Sequence, residues 1–218
     1  RRLGRELADR GGDLLPLAKT EYVTGAEGKS DTNELHAPDT AQPQNMQAFT
    51  CCFAMEFCPG EDHTIDKPED YAFWRDYVPQ LRPPWTGHLL SWEDTHPVTL
   101  QPRRSKFDPA ATKREDMGRW NYRRIQAPEN FTPGFCKGGI TLVNWPQNDY
   151  WLGNLYEVSA EESAKHLRGG KQLSLSLLYW LQTEAPRADG SSGWKELRLR
   201  TDLMGTIDGL AKYPYIRE

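Results

Sequence analysis

A chain of 218 residues with 37% hydrophobic and 27% charged residues is long enough to bury a core, and suits one globular domain or one and a half. Its net charge of -4 gives no support for a nucleic-acid footprint, and its apolar runs are too short for a membrane-spanning helix. Eight Trp and an aromatic content of 11% point instead to sites where a flat ring face meets polar groups.

The first residues, RRLGRELADRGG, carry arginines but no apolar segment, so they do not read as a signal peptide. With no initiator Met, the chain is expected to be part of a longer protein, and a cytoplasmic location is expected. A short helix or turn is predicted over residues 13–18 and a strand over 21–24. Residues 26–46 are polar, contain two prolines and lack periodicity, which predicts a loop or lid. Residues 47–57, QAFTCCFAMEF, alternate well enough for one strand with Phe49, Cys51, Phe53, Met55 and Phe57 on its buried face. The four cysteines, Cys51, Cys52, Cys58 and Cys136, form neither a C-x-x-C pair nor a zinc spacing, and read as thiols in a reducing compartment.

A helix is predicted over 69–78, with Pro68 in its first turn and Tyr71, Trp74 and Val78 on one face. RPPWTG and THPVTLQPRRSKFDP read as extended surface segments. Strands are predicted over 119–126 and 139–144. The strongest helical signal runs from 159 to 186: Ser159 and Glu162 make a capping box, Leu167, Leu178 and Leu181 share a stripe, and Pro186 ends it. Gly169 and Gly170 lie in its middle and should each weaken it by about 1 kcal/mol, which allows two helices meeting at the pair. WKELRLR then reads as a short strand with Leu197 and Leu199 alternating against Arg198 and Arg200. The fold class is α+β: a mixed or antiparallel sheet with helices packed on one side, the long 159–184 segment among them.

Few stretches carry chemistry. Glu61, Asp62, His63 and Asp66 in GEDHTID, and the looser set His88, Glu93, Asp94 and His96, match no established ligand spacing and read as solvated turns, so no metal is expected. G-x-S-x-G, H-E-x-x-H, P-loop and G-x-G-x-x-G motifs do not occur. Arg123 and Arg124 follow Trp120 and Tyr122, Arg198 and Arg200 alternate on one strand face, and Arg217 follows YPYI. Each is either a guanidinium clamp for a carboxylate or phosphate, or a structural ion pair. The most suggestive stretch is NWPQNDYW, Asn144 to Trp151, which follows the apolar GGITLV. It sets Asn144, Gln147, Asn148 and Asp149 among Trp145, Tyr150 and Trp151, as a ligand-binding loop at the carboxyl end of a strand would, or as a loop whose Asn and Asp groups close turns.

Taken in order, GGDLLPLAKTEYVTGAE, NMQAFTCCFAMEF, GEDHTID, YRRI, ITLVNWPQNDYW, LLYWLQTEAP and ELRLRTDLMGTIDGLAKYPYIRE resemble the central part of bacterial FAD-dependent oxidoreductases, some of them described as xanthan-lyase-like. The resemblance spans roughly residues 11 to 218, and NWPQNDY and GLAKYPYIRE are its most specific stretches. It implies FAD as cofactor, with a glycine-rich βαβ segment that precedes this region in the family and is not found here. It divides the chain into residues 1–25, an edge of the FAD-binding domain with Gly12 and Asp13 near the cofactor, and residues 26–218, a substrate-binding domain. The stretch GRELADRG before Gly12 departs from the family's apolar strand.

The resemblance implies a substrate-binding portion of an FAD-dependent oxidoreductase for a small polar or carbohydrate-like substrate. Asn144, Asn148, Asp149, Tyr215 and Arg217 would be catalytic, while Arg123, Trp145 and Tyr150 would bind substrate. The expected partners are that small molecule and the FAD-binding segments or a second copy of the chain. Two other readings stand beside it: a carbohydrate-binding module with Trp85, Trp92, Trp120, Trp145 and Trp151 as a stacking platform, and a fragment without activity of its own.

Overall fold

The computed structural model describes residues 14–216, apart from 82, 83, 86 and 97. Its helices, in chain order, are α1 (Leu14–Leu17), α2 (Lys29–Thr32), α3 (Tyr71–Asp76), α4 (Arg114–Met117), α5 (Arg119–Tyr122), α6 (Ala160–Thr183) and α7 (Thr201–Met204). The strands are β1 (Phe49–Thr50), β2 (Phe53–Phe57), β3 (Glu93–Thr95), β4 (Pro102–Arg104), β5 (Arg124–Gln126), β6 (Ile140–Val143), β7 (Asp149–Tyr150) and β8 (Leu197–Leu199). All strand pairings among the described residues are antiparallel, and with the helices they make an α+β fold. No helix among the described residues is long and apolar enough to cross a membrane.

The chain divides into two compact units. Of the described residues, the first holds 14–51, 149–170 and 213–216. Its centre is β1, paired with β7 on one side and bridged to Tyr215 on the other. Residues 26–46 are mostly loop, as their composition predicts, with only α2 and the Ala26–Gln42 bridge as regular structure. This loop is tied to the segment after β7: Asn154 Nδ2 donates to the Gln44 carbonyl at 2.9 Å, and the Tyr22 hydroxyl donates to the Glu157 carboxylate. The strand predicted over 21–24 does not form, because those residues have no backbone partner strand.

The second unit is a four-stranded sheet in the order β5-β6-β2-β8, joined by the hairpin β3–β4. Its core is aromatic. Phe107 is the hub: it stacks on Trp92 with ring centroids 5.1 Å apart and meets Trp194 at 4.9 Å and Trp145 at 5.9 Å, both edge-on. One carboxylate is sunk into this unit. Asp94 is fully buried, accepts from Arg103 Nε at 2.5 Å, and also receives the guanidinium of buried Arg119, whose plane lies over Trp145. Desolvation pushes the Arg119 guanidinium below its ordinary pKa, and the Asp94 charge acts against that shift.

Several predicted elements are corrected by this packing. Residues 47–57 do not make one strand. The chain breaks at Cys51 and Cys52 between β1 and β2, and Phe49 through Glu56 are buried on both faces rather than one. Residues 119–126 are not a single strand either: α5 occupies their first half, with Arg119 and Trp120 buried, before β5 begins. The predicted 69–78 helix is shorter, with Tyr71 and Trp74 buried but Val78 beyond its end and 40% exposed. The hairpin β3–β4 lies where extended surface was expected, and pairs Glu93 with Arg104 and Asp94 with Arg103.

The glycine pair does not split α6, which runs unbroken through Ala160–Thr183. Its capping is half of the predicted box, the Glu162 N–H donating to Ser159 Oγ at 3.2 Å. The glycines are there for packing. A Cβ on Gly169 would lie 2.7 Å from the Tyr150 ring, and one on Gly170 would lie 2.5 Å from the Phe49 ring and 3.4 Å from Cys51 Sγ. The helix therefore lies directly on the Phe49–Tyr150 face of the first unit's sheet.

Two stability measurements follow. Alanine at Gly169 should gain helix propensity of about 1 kcal/mol yet lose more to overpacking, for a net destabilisation of about 1–3 kcal/mol in urea denaturation; unchanged or raised stability would contradict the packing. Asp94→Ala leaves Arg119 buried without its carboxylate and should cost about 3–5 kcal/mol, read as a lowered urea midpoint.

Candidate functional site

Two chain-distant parts of the sequence-predicted site converge on β1. Thr50 pairs with Asp149 on one side, and on the other its N–H donates to the Tyr215 carbonyl at 2.9 Å while the Tyr215 N–H returns 2.8 Å to Thr50. Residues directly opposite in antiparallel strands point to the same face. Asp149, Thr50 and Tyr215 therefore share one face. Thr50 Oγ1 donates to the Asp149 carboxylate, and Tyr215 is 51% exposed. Asp149 and Tyr215 flank β1 two strand spacings apart, about 10 Å.

The opposite face carries Phe49 and Tyr150, whose ring centroids are 5.0 Å apart. Tyr150 is buried, and its hydroxyl lies 2.9 Å from His166 Nδ1 on α6. His166 Nε2 lies 3.2 Å from the Glu162 carboxylate, one helical turn earlier. A carboxylate only accepts, so Glu162 places the imidazole proton on Nε2 and leaves Nδ1 to accept from the Tyr150 hydroxyl. Gly153 packs on the imidazole, where a Cβ would collide with the ring. This carboxylate–imidazole–phenol chain orients Tyr150 and gives its proton a defined acceptor. The sequence reading missed His166 and Glu162; the signal available was their i, i+4 spacing on the strongest helix.

The other half of NWPQNDYW builds a turn in the second unit. Residues 146–148 form a single 3-10 turn. Asn148 is fully buried, its Oδ1 accepts from the Trp145 N–H at 2.8 Å, and its Nδ2 donates to Ser174 Oγ at 3.3 Å. Trp145 is 1% exposed among the core aromatics, and Asn144 is half-buried at the end of β6. Arg123 is exposed and lies over the Tyr122 ring, 5.2 Å from its centroid. Gly12, Asp13 and Arg217 lie outside the described residues. A cavity of about 740 Å³ in the second unit, between Trp92, Phe107, Lys106 and Arg187, takes none of the residues predicted for catalysis, substrate or cofactor.

The other arginines are structural. Arg198 and Arg200 both donate to buried Glu56, the latter at 2.9 Å, and Arg124 forks onto Glu129 at 2.5 and 3.0 Å. The indoles do not form a stacking platform: Trp92, Trp120 and Trp145 are core residues, and only Trp85 and Trp151 of the five are half-buried.

The description of the matching family model is FAD dependent oxidoreductase, and the match covers residues 8–218. The chain belongs to the FAD-dependent oxidoreductase family, whose name gives FAD as its cofactor. No curated protein and no solved structure matches it. A dinucleotide cradle needs a parallel βαβ unit with a glycine-rich turn at a helix N-terminus. The described residues contain only antiparallel pairings, and α6 begins after Ser159 rather than after a glycine-rich turn. They do not fit the pyrophosphate half of FAD.

Asn148→Ala removes the acceptor for the buried Trp145 N–H and should destabilise the chain by about 1–3 kcal/mol. Asn148→Asp keeps that acceptor and should lose less. Urea denaturation of both separates a turn-closing role from none, since equal stabilities across the three proteins would show that the turn does not need the side chain.

Proposed function

We propose that this chain supplies the substrate-binding portion of an FAD-dependent oxidoreductase, and that a small polar or carbohydrate-like molecule binds on the Asp149–Thr50–Tyr215 face of the first unit. One observation carries the reading: β1 gathers Asp149 and Tyr215, which stand in the two most family-like stretches of the chain, onto one face with a carboxylate and a half-exposed phenol on either side of Thr50. The carboxylate accepts from a substrate hydroxyl, and the Thr50 hydroxyl holds it in that orientation. The Tyr215 ring offers an apolar wall with a donor at its tip. Arg217 is proposed, on the sequence, as the partner of a substrate carboxylate or developing negative charge. Asn148 acts as a positioning residue, because the turn it closes delivers Asp149 into β7. Tyr150 keeps a smaller part, as the packed wall on the opposite face of the same strand pair.

FAD itself would be held mainly by residues other than the described ones. Titration of the purified chain with FAD, followed by flavin fluorescence and visible absorption, is expected to show weak binding or none. Tight, saturable binding would place a cradle within this chain and overturn the substrate-side assignment. In a flavin-loaded enzyme that contains this chain, Asp149→Asn and Tyr215→Phe are each expected to lower turnover on a panel of aldoses, polyols and hydroxy acids by about 100-fold. Wild-type kcat/KM in both variants would overturn the assignment of this face.

A further inference from the structure

A second site stands apart from the flavin-related residues, at the turn that follows β2. Cys58, Pro59, Gly60 and Glu61 form a β-turn with proline and then a glycine at φ +82°, and the Glu61 N–H closes it on the Cys58 carbonyl at 3.1 Å. The turn brings the first and fourth side chains to one side. His63 follows, and the backbone fixes it against the same neighbour as Cys58: the Cys58 N–H donates to the Glu196 carbonyl at 2.9 Å and the His63 N–H donates to the Lys195 carbonyl at 2.8 Å. Cys58 Sγ, a Glu61 carboxylate oxygen and a His63 ring nitrogen all lie within 4.8 Å of one another, with Glu61 Oε2 2.6 Å from His63 Nε2.

We propose that Cys58, Glu61 and His63 bind a divalent transition-metal ion of the zinc class. A thiolate, an imidazole and a carboxylate are the donor set that Zn²⁺ takes in tetrahedral sites. Such donors stand about 2.0–2.3 Å from the metal and hence about 3.5 Å from each other, so rotations of the three side chains on an already anchored backbone close the site. One further observation stands beside these donors: Glu196, whose carbonyl accepts from the Cys58 N–H, has a carboxylate oxygen that is buried with no hydrogen-bond partner. Asp62, by contrast, is engaged by the Thr64 N–H at 3.1 Å and hydroxyl at 2.8 Å and takes no part. Binding replaces the thiol proton by the metal: the S–H bond breaks, an S–metal bond forms and one proton leaves to solvent. The site does not depend on the flavin assignment.

The test is a Co²⁺ titration of the reduced, purified chain. One equivalent should produce a thiolate-to-cobalt charge-transfer band that Zn²⁺ abolishes by displacement. Cys58→Ser should remove the band, while Cys136→Ser should retain it. His63→Gln, at a partly exposed side chain whose loss the fold tolerates, should weaken Co²⁺ binding at least about tenfold, and so decides the matter even if Cys58→Ser fails to fold. No band in the folded chain, or a band and affinity unchanged in His63→Gln, would overturn the proposal.

Discussion

Phe49 through Glu56 have no face left for solvent. Most strands of a small α+β protein bury one side and wet the other, and their sequence alternates accordingly. Here the chain runs as β1 between β7 and the Tyr215 bridge, then as β2 inside the four-stranded sheet, and its own side chains are buried almost throughout. Every polar group in that stretch must therefore find a partner inside the protein. Thr50 finds Asp149, and Glu56 finds Arg198 and Arg200. The two arginines that looked like a clamp for a ligand are consumed by this requirement, whereas Asp149, which Thr50 engages, is only half-buried. A single burial constraint thus separates a structural ion cluster from a candidate site.

The same requirement explains residues that look unfavourable in isolation. Glycines inside a long helix cost helix stability, yet Gly169 and Gly170 let α6 approach the Phe49 and Tyr150 rings closely enough to cover them. That close approach in turn brings His166 to the Tyr150 hydroxyl. In the second unit, Asp94 is a buried charge among aromatic rings, and the two arginines that balance it come from the hairpin and from α5. Trp145 completes that arrangement by lying against Arg119, so the indole most suggestive of a ligand platform is part of the core's electrostatics.

What the sequence conveyed was what local patterning encodes. The capped, amphipathic run of α6, the apolar β6 and the alternating β8 each carry their own signal within a few residues; α6 and β6 formed close to their predicted bounds, and β8 kept only the Leu197–Leu199 end of WKELRLR. Pairings that join distant segments left no such trace. Nothing near Tyr215 announces Thr50, and nothing near Asp94 announces Arg119, because both contacts depend on how separate elements pack. The glycine pair misled for the same reason: its meaning lies in rings from elsewhere in the chain rather than in the helix. Glu61 and His63 read as part of a solvated turn and Cys58 as an unpaired cysteine without zinc spacing, so the sequence does not join them. Only the folded backbone, with Gly60 in the left-handed region, shows three donors turned toward one point.

The stretch NWPQNDYW illustrates how one short polar segment serves two ends. Its Asn148 side chain is spent on closing a buried turn, for a backbone N–H at that depth cannot go unpaired. Asp149 and Tyr150 come next, and strand geometry sends them to opposite faces of the first unit's sheet. One face then holds a carboxylate steadied by a hydroxyl, the other a phenol steadied by an imidazole. The amides and carboxylate between the indoles are therefore not one cluster addressed to one ligand. The turn fixes where the strand begins, and the strand determines which group reaches the candidate substrate face and which is held against the helix.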